Sequence, residues 1–142
     1  MTAITPLHLD SVSSLEIPLS PVPAACSFTG FPSPAQDYTQ QWLTLDTYLN
    51  ISANTTWYFK AEGNSMEGLR IFDGDVLIVN TLRKPEMGNI CVVLVEGEMM
   101  AKVLEMRGGV GYIVSAHPDH PPVPVTDVQV FGVVTGIVVK LV

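Results

Sequence analysis

From Tyr38 to the C-terminus, apolar residues fall in short runs broken by glycine, proline and Asp/Asn-rich turns. The runs predict strands at Trp57–Ala61, Val76–Val79, Ile90–Val95, Met99–Leu104, Val110–Val114 and Val130–Val139. Each is rich in β-branched, aromatic or aliphatic residues and is bounded by turn formers. Only "QWLTLDTYLN" suggests a helical turn, through Leu45, Tyr48 and Leu49. "EGE" around Gly97 predicts a tight hairpin between the third and fourth strands, and "RGG" at Arg107 to Gly109 supplies the next turn. "HPDHPPVP" reads as a loop by its prolines. Short, closely spaced strands with no long helical pattern predict a mainly β, compact, barrel-like fold.

The N-terminal stretch has a different pattern. Residues Met1 to about Gln36 hold six of the eleven prolines and only Asp10 and Glu16 as charges. Proline fixes φ and removes a backbone donor, so an extended or mobile arm without helix is expected. The chain therefore reads as a flexible Pro-rich arm over residues 1–37 and a β-rich domain over residues 38–142.

Composition narrows the function classes. At 142 residues with 47% hydrophobic content the chain has room for one domain with a real core. A net charge of −7, with seven scattered basic residues of which Lys60 is the first, argues against a nucleic-acid-binding surface. Cys26 and Cys91 form no CxxC and suggest no disulfide framework. No apolar run reaches transmembrane length, and the N-terminus lacks the basic start of a signal peptide. A soluble cytoplasmic protein that binds no membrane is the expectation.

The candidate chemistry centres on "AEGNSMEGLRIFDGDVLIVN", Ala61 to Asn80, where Ser65 sits on a turn between glycines. Such a serine is ordinarily just part of a loop, and it becomes a nucleophile only with a base beside it. His8 lies in the arm, and His117 and His120 lie in the Pro-rich loop. Nothing in the sequence brings them to Ser65 or completes a metal site, so no cofactor or metal is expected. Lysine can also serve, provided that burial lowers its pKa from about 10.4 so that it is neutral. Of the lysines, Lys102 in "MMAKVLEM" has the most apolar setting, although the polar face of an edge strand would explain it equally well.

Five segments then form a pattern: "GFPSPAQDY", "GNSM", "DGDVLIVN", "GNICVVLVEGEMMAKVL" and "VFGVVTGIVVK". Together they resemble the Ser-Lys self-cleaving domain shared by LexA-type repressors and UmuD-like mutagenesis proteins. The first segment is similar to UmuD-like proteins in particular. The resemblance covers about Gly30 to the C-terminus. It implies Ser65 as nucleophile, Lys102 as general base, and main-chain N–H groups at Asn64 and Ser65 as oxyanion donors. It puts the scissile bond between Thr29 and Gly30. Two positions depart from the family pattern. Thr29 stands where Ala or Cys is usual, which a β-branched residue would make slower to cut, and Asn89 replaces a turn aspartate.

The resemblance further implies a homodimer, activation by a RecA filament on single-stranded DNA, and a cut form that joins a UmuC-type Y-family DNA polymerase in lesion bypass. The competing readings are a cleavage-poor binding module of the same fold, a headless LexA-type regulator, and a signal peptidase, for which the sequence shows no anchor.

Overall fold

A computed structural model describes residues 3–7, 17–20, 24, 41–115 and 121–142. Its strands are β1 (Ala3–Leu7), β2 (Ile17–Leu19), β3 (Gln41–Leu43), β4 (Thr56–Glu62), β5 (Val76–Asn80), β6 (Ile90–Val95), β7 (Glu98–Arg107), β8 (Val110–Val114), β9 (Val123–Pro124) and β10 (Gln129–Val138). One helical turn, α1 (Leu45–Tyr48), follows β3, and 3-10 turns occupy Glu67–Leu69 and Val125–Asp127. The mainly β, barrel-like expectation holds, and every strand expected from the hydrophobic runs is present to within a few residues. Among the described residues no helix is long and apolar enough to cross a membrane.

Eight strands form one antiparallel sheet in the order β1-β4-β5-β10-β6-β7-β8-β9. A second pairing, Ala3 opposite Met100, joins β1 to β7 and closes six of the strands into a ring. Alternation along the strands then sorts side chains to two faces. Phe59, Ala61, Leu77, Val79, Val92 and Ala101 form one buried cluster, with Met66 and Ile71 added from the loop after β4. Cys91, Val93, Met100, Ile113 and Val133 form a second, with Val125, Val128 and Leu104 packed against it. Phe131 joins the first cluster edge-on, its ring centroid 5.7 Å from Trp57 and 5.5 Å from Phe59.

The hairpins set the register. Glu96 and Gly97 have φ of 49° and 83°, and Gly108 and Gly109 have 57° and 81°. Positive φ at both central residues marks the two-residue turn whose twist suits paired strands. Val95 thus faces Glu98, and Arg107 faces Val110.

The chain divides differently from the expectation of an arm over 1–37 and a domain over 38–142. Met1–Ser11 groups with Ser52–Val142, and Val12–Ile51 makes a separate unit. In the first unit β1 pairs with β4 along its whole length, from Ala3 opposite Glu62 to Leu7 opposite Tyr58, but with β7 only at Ala3. A strand paired mainly on one side tolerates Pro6, whose missing N–H leaves no ladder bond unmade on the open side. In the second unit β2 and β3 pair antiparallel, and Ile51 N–H donates to the Asp46 carbonyl where α1 ends.

β10 lies between β5 and β6, and its pairing shifts with each of them, near Gly132 and Gly136. A Cβ at Gly132 would stand 2.7 Å from the Asn80 carbonyl oxygen and 2.7 Å from Val79 Cγ1. At Gly111 the nearest atom would be the flexible Val125 Cγ1 at 3.0 Å. Gly132→Ala is therefore expected to cost about 1–3 kcal/mol by overpacking, and Gly111→Ala distinctly less. Thermal unfolding of the two variants checks this, and equal losses would contradict the close approach at Gly132.

Candidate active site

Ser65 lies on the loop between β4 and β5, and the base of that loop is clamped. Beyond the last ladder pair the two arms stay bonded: Ala61 N–H donates to the Asp75 carbonyl and Gly74 N–H to the Ala61 carbonyl, each at 2.8 Å. The Gly63 N–H then donates to Asp73 Oδ1 at 2.9 Å. Gly63 has φ of 92°, a conformation that a residue without Cβ adopts readily. Asp75, 6% exposed, folds its carboxylate back to accept the Phe72 N–H at 2.9 Å. "DGD", read from sequence only as a turn, thus supplies two carboxylates that fix the loop.

The middle of the loop is anchored from inside. Met66 is fully buried in the first cluster, and its carbonyl accepts N–H groups from Leu69 at 2.9 Å and Ile71 at 3.2 Å. Asn64 and Glu67 on either side of this pair are exposed, whereas Ser65 is only 4% exposed. A buried methionine one residue on, with a clamped glycine two residues back, leaves the Ser65 backbone little freedom.

Lys102 lies near the middle of β7, with Cys91 of β6 directly opposite. It is 7% exposed. Its strand neighbours Ala101 and Val103 face the first cluster, so Lys102 shares its face with Met100 and Leu104 of the second. Burial pushes its amine pKa below the ordinary lysine value. Desolvation penalises the ammonium form, and no ion pair to Lys102 is found among the described residues to offset it. Cys91 adds no charge, because burial pushes its thiol up to about 11. Lys102 also lines a cavity of about 140 Å³ with Val95, Met100, Ile113, Ser115, Pro121 and Val123. Ser65 is not part of that wall.

Topology brings the two regions close. Ala3 is the partner of both Glu62 in β4 and Met100 in β7. One strand therefore separates the end of β4 from the middle of β7, a distance of roughly 10 Å at ordinary strand spacing. The loop to Ser65 starts at that end, and Lys102 is two residues past Met100. Met66 and Ala101, their chain neighbours, belong to the same buried cluster.

Thr29 and Gly30 lie outside the described residues, as do His8, His117 and His120. The described residues contain no group of acidic, His and Cys side chains suited to a metal ion. Asn89, the second departure from the family pattern, keeps a turn function: its Oδ1 accepts the Glu86 N–H at 2.8 Å, as an aspartate oxygen would. Ser115 was not singled out from sequence, yet counting residues outward from the Gly108–Gly109 turn reaches it opposite Lys102.

Comparison with known proteins places this geometry in a family. A family model described as Peptidase S24-like matches residues 23–135, a span that includes Thr29, Gly30, Ser65 and Lys102. The chain is 33% identical over 111 residues to Protein SamA of Salmonella typhimurium, which covers 78% of this chain and 79% of that protein. It is 34% identical over 110 residues to Protein ImpA of Escherichia coli, covering 77% and 76% respectively. To the LexA repressor of Shewanella denitrificans it is 28% identical over 96 residues, 68% of this chain and 46% of the repressor. With the family model spanning most of its length and such relatives aligned along it, the chain belongs to the Peptidase S24-like family, in its UmuD-like, LexA-type group.

Proposed function

We propose that this protein is a self-cleaving serine peptidase of SOS mutagenesis in which Ser65 is the nucleophile, Lys102 the general base and Thr29–Gly30 the bond cut. The observation that carries the reading is Lys102 itself, a lysine 7% exposed whose pKa burial lowers. Such an amine is neutral, and able to accept a proton, over a wider pH range than a solvated lysine.

The neutral Lys102 amine takes the Ser65 hydroxyl proton as Oγ attacks the Thr29 carbonyl carbon. Main-chain N–H groups at Asn64 and Ser65 face the developing oxyanion; a clamped turn suits this role because the donors need no rearrangement as charge forms. Collapse breaks the Thr29–Gly30 bond, and the Lys102 ammonium returns its proton to the departing Gly30 amine. Water, deprotonated by Lys102, then hydrolyses the Thr29–Ser65 ester.

A RecA filament on single-stranded DNA would activate by raising the fraction of molecules whose cleavage segment is docked. The product, residues 30–142, would act as a homodimer joined to a UmuC-type Y-family polymerase. The acidic balance of the chain, net charge −7, fits action through protein partners rather than direct contact with DNA. Thr29 supports a second reading, a binding module that cuts slowly, because its β-branched side chain crowds the carbonyl under attack.

Two outcomes follow. Cleavage followed by intact-mass spectrometry should speed up as pH rises, because the neutral fraction of Lys102 grows with pH, and should level off above its lowered pKa. Ser65→Ala and Lys102→Ala should each reduce the rate by roughly 10³-fold or more. A rate that falls with rising pH, or an active Ser65→Ala, would remove the dyad. A wild type that stays whole even with RecA filaments would leave the binding module. The second outcome concerns β1, which precedes the proposed bond and contributes a strand to the barrel. A purified fragment of residues 30–142 is expected to melt at a lower temperature than full-length Ser65→Ala. Equal melting temperatures would show that β1 contributes nothing to stability.

A further inference from the structure

We infer that Ser115 is a positioning residue whose hydroxyl holds the Lys102 amine in the orientation that proton transfer needs. The inference rests on the Ser-Lys reading for its catalytic meaning but on independent geometry for the contact.

β7 and β8 pair in a register with Leu104 opposite Ile113 and Val103 opposite Val114. One step past that last pair, Ser115 stands opposite Lys102. Directly opposed residues of an antiparallel pair point to the same face, with Cβ atoms about 4.5–5.5 Å apart. The cavity confirms the shared face, because Lys102 and Ser115 both line it. Leu104 and Ile113, one pair earlier on that face, both belong to the second buried cluster.

The rest of the cavity wall is apolar: Val95, Met100, Ile113, Pro121 and Val123. Ser115 is therefore the one hydroxyl in a wall that otherwise gives the Lys102 amine nothing to bond. A lysine side chain carries four rotatable bonds, and without a polar partner its amine would sample many directions in this space. A hydroxyl has one donor and two acceptor sites, so Ser115 can accept an N–H from Lys102 while keeping any other bond it makes.

Other groups facing Lys102 do not supply this function. From β6, Cys91 stands opposite it as an uncharged thiol whose Sγ lies 3.9 Å from the Asn89 carbonyl oxygen. β1 contributes only Ala3, Ile4, Thr5, Pro6 and Leu7, none of them titratable. No carboxylate pairs with Lys102 among the described residues. The sign of the effect follows from the hydroxyl acting as acceptor. It favours the ammonium over the free amine, so its removal should lower the Lys102 pKa further while freeing the amine to turn away from Ser65.

The test uses the full-length protein as wild type, Ser115→Ala and Ser115→Thr. Titration of the Lys102 ε-CH₂ signal by ¹³C NMR, in a Ser65→Ala background to keep the chain whole, reports the contact whether or not the protein cuts. Intact-mass kinetics with Ser65 present report positioning. Ser115→Ala should lower the NMR midpoint by about one pH unit. Its cleavage rate on the high-pH plateau should fall by about tenfold, the factor for one lost hydrogen bond. Ser115→Thr should restore both and also controls for folding.

An unchanged midpoint in Ser115→Ala overturns the inference even if the rate falls, since that pattern means looser packing only. A shifted midpoint with an unchanged plateau rate overturns the positioning role. If the wild type is never cut, the peptidase reading fails on its own, and the NMR midpoint still decides whether Ser115 bonds Lys102.

Discussion

The site depends on β7 being covered on both faces. Ala101 and Val103 fill the ring of strands, while Met100 and Leu104 lie under the second cluster with Ile113, Val125 and Val128. An edge strand would leave Lys102 in water with an ordinary pKa. Because β6 and β8 flank β7 and the clusters cover its faces, the amine is desolvated and its ammonium form is disfavoured. The linkage carries a sign. A lysine with a folded pKa below its unfolded value binds fewer protons when folded. Lys102 therefore destabilises the fold at pH below its lowered pKa, and the penalty fades as pH rises toward the unfolded value. A barrel that bears this cost needs a well-packed core elsewhere, and the two clusters supply it.

Ser65 solves the opposite problem. A nucleophile must be presented on a sharp turn yet held still, and sharp turns usually lie exposed and mobile. Here the loop is tied at its base by Asp73 and Asp75 and pinned at its centre by Met66 and Ile71 inside the barrel. The polar bonds fix the path of the backbone, and the apolar anchors supply most of the burial. Ser65 is thereby 4% exposed, although Asn64 beside it is open to solvent.

Much of this was legible in the chain. The apolar runs foretold β4 to β8 and β10, and "EGE" and "RGG" foretold both hairpins, because turn chemistry and period-2 burial are local. The hairpins carried more than was read from them, since counting outward from each turn sets Cys91 and Ser115 on either side of Lys102. β1 was hidden by Pro6, a residue that reads as a break but is tolerated in a strand paired mainly on one side. β9 was hidden by its brevity and by the prolines around it. The joint burial of Lys102 and Ser65 was not local at all. It required the Ala3 pairing that closes the ring, and no periodicity announces a contact between residues so far apart in sequence.

The most direct test of the central claim is the cleavage rate of Lys102→Arg across pH, followed by intact mass beside the wild type. Arginine keeps a positive charge and a long apolar stem but stays protonated at any accessible pH. The account predicts a wild-type rate that climbs with pH and an arginine variant that is inert throughout. An arginine variant cutting with the wild-type pH dependence would show that Lys102 is not the base.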